Sequence, residues 1–112
     1  GLAGQAATNI CGDVGNSLTA TGSTYSDALQ LSAVVNRTTT TASGTGVKLM
    51  PAEAGASVVV INSGANALLV YPGTGAAINA LTVTTQGFSV GAGGRALFVA
   101  VSPTNWFAIL SA

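Results

Sequence analysis

Histidine is missing from this sequence, cysteine occurs once, and acids and bases number three each in 112 residues. Without histidine or a second cysteine, neither a base-activated nucleophile nor a thiol or imidazole metal site has the groups it needs. The acids Asp13, Asp27 and Glu53 stand 14 and 26 residues apart, so no closely spaced carboxylates suggest a calcium loop. An acid-base pair of Asp27 and Glu53 is geometrically conceivable, but both read as surface charges. Arg37, Lys48 and Arg95 are as scattered, which argues against nucleic-acid binding, because that needs clustered cations. The longest run of large aliphatic residues, Val58 to Ile61, falls far short of the about 20 apolar residues of a spanning helix. These absences predict a soluble non-enzyme with no catalytic residues, no cofactor, no metal, no nucleic-acid partner and no membrane contact.

The N-terminus shows no basic start or continuous apolar region, so no signal peptide is read there, and Gly1 reads as what remains after removal of the initiator Met. Cys11 cannot form an intrachain disulfide and reads as a small structural thiol. The Gly-rich pieces at 73–78 and 91–96 begin like dinucleotide fingerprints. Both lack the third glycine, and strand-like LTVTT and LFVAV follow where a helix N-terminus is required. They are read as turns, with Pro72 and Gly73 central in a type II turn and Gly64 supplying a positive φ. Thr-x-Thr pairs at 19/21 and 82/84 lack the fixed period of an ice-binding array. Tyr71 and Trp106 raise the question of a sugar-stacking platform, but their apolar neighbours favour packing.

What the chain does have is small residues: Ala, Gly, Ser and Thr make up 59 of the 112. Close backbone approach must supply much of the packing, and one domain of this length buries roughly 65% of its extended-chain surface. With 5% charged residues against about 25% in ordinary soluble domains, its surface is poorly defended against association.

Residues 1–22 mix Gly, Ala, Thr and Asn around isolated apolar side chains and read as an extended N-terminal arm, with residues 23–112 forming the domain proper. Thr24 and Asp27 stand at capping-box spacing for one short helix, which the β-branched residues at 34–41 cut off. Short strands then alternate with turns. In SVVVINSGANALLVY, residues 57–71, two apolar runs flank a turn and read as a hairpin; the tail does the same in RALFVAV-SPTN-WFAIL, where Pro103 suits the second position of a type I turn. Neither face of these strands is clearly polar, so both must be covered. The pattern predicts an all-β fold: a single sandwich or barrel-like domain of about eight short strands, an extended arm and at most one short helix.

The stretch GTGVKLMPAEAGASVVVINSGANALLVYPGTGAAINAL, residues 44–81, with ATGSTYSDALQLSA upstream and GGRALFVAVSPTNW downstream, resembles small all-β structural proteins of tailed-bacteriophage virions, of the capsid decoration or cement type. The likeness covers roughly residues 16 to 110 and lies in pattern and turn wording, with no catalytic motif. It implies a virion structural protein made in the host bacterial cytoplasm and placed on the capsid exterior. There it would associate as a homotrimer and bind the major capsid protein at junctions between subunits. The alternative is a tail or fibre adhesion domain for host surface sugar. The candidate partner-contact residues are Ile10, Val14 and Leu18 on the arm and Val58, Val60 and Trp106 on the strands.

Overall fold

The computed structural model describes residues 14–111; the expectations placed on Ile10 and Cys11 lie outside the described residues. Among the described residues ten strands are seen: β1 (Val14–Thr19), β2 (Leu29–Gln30), β3 (Val35–Thr40), β4 (Gly46–Lys48), β5 (Ser57–Asn62), β6 (Leu68–Tyr71), β7 (Ala77–Ile78), β8 (Phe88–Val90), β9 (Arg95–Ser102) and β10 (Asn105–Ser111). They form a six-stranded sheet in the order β1-β3-β5-β9-β10-β7 and a four-stranded sheet in the order β2-β4-β6-β8. The all-β expectation holds, as a two-sheet sandwich.

From β1 to β9 every strand lies in the sheet opposite to its predecessor. β1, β3 and β5 are therefore parallel neighbours in one layer, and β2, β4 and β6 in the other. Val14, Val35 and Val59 share one row, spaced by 21 and 24 residues. Leu29, Val47 and Val70 share another, spaced by 18 and 23. Residues 14–71 thus form an irregular flattened coil, closed by the antiparallel pair β9 and β10.

This corrects the reading of residues 57–71 as a hairpin. β5 and β6 belong to different sheets, and the turn between them is an arch that carries the chain across the core. In both arrangements alternate residues are buried: Val58 and Val60 from β5, Leu68 and Val70 from β6. Period two therefore fits either. Gly64 in this arch does not have the expected positive φ. It is small for another reason: a Cβ there would sit 2.3 Å from the Thr41 hydroxyl and 2.7 Å from its backbone nitrogen. The positive φ after Pro72 falls on Gly75 rather than Gly73, where Ala76 N–H donates to Gly73 O at 3.0 Å.

The core fills the space between the sheets with Val58, Val60, Phe98 and Trp106 from the large sheet and Val47, Leu68, Val70 and Val90 from the small one. Phe88 meets Phe98 edge to face across the layers, with ring centroids 5.7 Å apart. Each fully buried side chain of this size contributes about 1.5–3 kcal/mol.

The arm boundary at residue 22 is also corrected for residues 14–21. β1 pairs with β3, Ala20 is buried, and Thr21 bridges to Gly46. Ser17, at φ 134°, is the extra residue of a bulge that shifts the register between Asn16 and Leu18. The shift matters because it turns Leu18 inward, where it packs against the core. The short helix is a single 3-10 turn, Tyr25–Asp27.

Candidate functional site

The central strands β3, β5 and β9 of the large sheet bury alternate residues on one face, and the pleat sends the others outward. On the outward face Val14, Val35, Val59, Leu97 and Ile109 stand in register across five strands. Val99 and Phe107 form the next row with Ser57, and Ile61 stands between Arg37 and Arg95 on the other side. Val14 is 63% exposed, Ile109 61% and Phe107 47%. A sheet with one solvated face ordinarily places polar residues there; this one places aliphatic and aromatic side chains. Val59, Arg95, Ala96, Leu97 and Ile109 line a groove of about 240 Å³.

Among the described residues the charges on this face are of one sign. Arg37 donates through Nε to Ser63 Oγ at 3.0 Å and through a terminal nitrogen to Asn16 Oδ1 at 3.1 Å, both neutral partners. Arg95 is exposed at the same end of the sheet. Glu53 lies at the opposite end, in the turn that leads into β5: Ala56 N–H donates to Glu53 O at 3.0 Å, and Gly55 N–H to Ala100 O at 2.8 Å.

The predicted contact residues divide. Val14 lies on the open face. Val58, Val60 and Trp106 do not: all three are core residues, with Val60 at 0% and Trp106 at 1% exposure. The alternation was visible, but which of the two apolar faces met the second sheet was not. The open apolar face is instead carried by Val59, Leu97, Val99, Phe107 and Ile109, whose signal was the apolar residues at the alternate positions 59–61, 97–101 and 107–109.

A second concavity, of about 350 Å³, is lined by Ser23, Thr24, Tyr25, Ser26, Tyr71 and Thr85. The Asp27 carboxylate organises its rim, accepting from Ser23 N–H at 3.2 Å, Thr24 N–H at 2.9 Å and the Thr24 hydroxyl at 2.8 Å. The Thr24 N–H, followed by its hydroxyl, holds the Asp27 carboxyl below the ordinary aspartate value of 3.8. Tyr71 is 4% exposed and donates to Ser23 O at 3.3 Å, while the Tyr25 ring is covered on one face by Lys48 Nζ, 4.6 Å from its centroid. Tyr71 and Trp106 therefore form no exposed platform for a sugar ring.

Among the described residues no group of three or more acids or thiols could hold a metal, and no helix is long and apolar enough to cross a membrane. Comparison of the chain with protein-family models, with curated proteins and with solved structures finds no match.

Proposed function

We propose that this is a structural protein of a tailed-bacteriophage virion, a capsid decoration protein that sits on the head exterior, self-associates, and stabilises junctions between major capsid subunits. The observation that carries the reading is the open apolar face of the large sheet. A domain whose core is already filled by its own two layers has no internal use for a further five-strand row of Val, Leu and Ile side chains. Contiguous apolar patches of this kind mark protein contacts. The low charge of the chain agrees with a surface that is covered in the working particle. The burial of both Tyr71 and Trp106 supports this reading over a tail or fibre adhesion domain that would stack host sugar on those two rings.

The test is to locate the protein on purified particles with gold-labelled antibody. Label distributed over the head surface is expected. Label confined to the tail tip, or particles that carry none of the protein, would overturn the proposal.

A further inference from the structure

We infer that the open face of the large sheet is a twofold contact, on which a second copy of this chain stacks face to face with its strands reversed. The inference does not depend on the virion reading, since a free dimer in solution would satisfy it.

Size is the first consideration. Five strands about 4.8 Å apart and six residues at about 3.3 Å each make a face of roughly 24 by 20 Å, on the order of 500 Å². Two such faces together bury on the order of 1,000 Å², where specific interfaces begin. The rows Val14-Val35-Val59-Leu97-Ile109 and Ser57-Val99-Phe107 supply an apolar centre, and the charged residues stand at the ends as a rim.

Charge then selects the partner and its orientation. A twofold axis between two stacked sheets must lie in the plane of the contact. If the axis ran along the strands, Arg37 and Arg95 of one copy would face the same arginines of the other. If it runs across the strands, the arginine end of each copy faces the end where residue 53 turns into β5, and each pair of cations meets Glu53. Like charges across an interface are strongly disfavoured, so the second arrangement is selected. It differs from the threefold association that the resemblance implies. The groove of about 240 Å³ beside Leu97 and Ile109 offers a recess for an apolar side chain of the facing copy.

The experiment is sedimentation equilibrium of the full chain at roughly 10–100 μM, the range that detects micromolar association. The wild type is expected at the mass of two chains. Ile109→Asp, at an exposed position that leaves the core intact, is expected at the mass of one, with circular dichroism unchanged. Arg95→Glu and Glu53→Arg should each weaken the dimer, the second by more than about tenfold, and because Arg37 still opposes residue 53 the double variant should recover only part of the loss and bind more tightly than Glu53→Arg alone. A monomeric wild type, a three-chain mass, an Ile109→Asp variant that still dimerises, or a double variant no tighter than Glu53→Arg alone would each overturn the twofold contact.

Discussion

Thr41 donates its hydroxyl to Oδ1 of Asn62 at 2.9 Å, and this buried bond ties the β3–β4 arch to the β5–β6 arch one turn of the coil later. The same oxygen accepts from Gly64 N–H at 3.0 Å, while Asn62 Nδ2 donates to the carbonyls of Asn66, Val90 and Gly91 at 2.8, 3.0 and 3.2 Å. One side chain thereby satisfies turn groups from three separate segments. Asn62→Ala leaves them buried and unpaired, and a loss of about 3 kcal/mol or more is expected, read by urea unfolding. Asn62→Asp keeps the shape but loses the amide donors, so it should also destabilise; a variant as stable as wild type would contradict the bonding described.

Val60 is wholly buried between the layers. Val60→Asp places an unpaired carboxylate there at a cost of several kcal/mol, a large part of the roughly 5–15 kcal/mol that holds a domain together. The expected result is a chain without a cooperative thermal transition at neutral pH, whereas an unchanged melting temperature would place Val60 on the surface.

Trp106 fills the core, yet its indole N–H has no hydrogen-bond partner among the described residues. Trp106→Phe removes that unpaired donor along with some volume and should cost less than about 2 kcal/mol, against about 3–5 kcal/mol for Trp106→Ala. Equal costs for the two substitutions in chemical denaturation would show that the indole is bonded after all.

Asp27 has its carboxyl pKa held low by the Thr24 N–H. A group depressed in the folded state contributes stability that is present above its unfolded pKa and is lost as pH falls through the folded one. The 23–27 turn should therefore stay intact through mild acid and loosen only below pH 3.8. A carboxyl-carbon NMR titration checks this, with a midpoint at or above the ordinary aspartate value as the contrary result.

Shortening the chain separates the two parts of the expected arm. A chain beginning at Thr21 lacks β1, so the β3 edge is uncovered and the packing of Leu18 and Ala20 is gone. Its melting temperature should fall well below that of a chain beginning at Val14. Equal melting temperatures would return residues 14–20 to the status of an arm.

Local features were legible where a residue type has one use. The Thr24/Asp27 pair marked the one helical turn, Pro103 begins the two-residue loop between β9 and β10, and the alternating burial of β5 followed from its valines. Partners in space were not legible. Val58 and Val60 alternate in the same way whether the next strand bonds beside them or packs opposite them, so arch and hairpin read alike. The coil escaped notice because its rows are separated by unequal intervals, 21 and 24 residues in one layer and 18 and 23 in the other. The inward turn of Leu18 depends on one bulged residue, Ser17, which no sequence period announces. Both apolar faces of β5 and β9 were visible, but only the position of the second sheet tells which one remains open.

The place of β9 and β10 has a consequence for biosynthesis. They are the last of the described strands to leave the ribosome, yet they lie inside the large sheet, with β5 on one side and β7 on the other. β7 pairs only with β10, and Phe98 and Trp106 reach the core only with these two strands. A nascent chain halted before Arg95 therefore holds an incomplete layer and an unfilled interior, and it should remain sensitive to protease until the tail emerges. Closure then waits on pairings between segments far apart in the chain, which are slow to form, on the order of milliseconds to seconds. For a protein so poor in charge, that interval is when unwanted association is most dangerous.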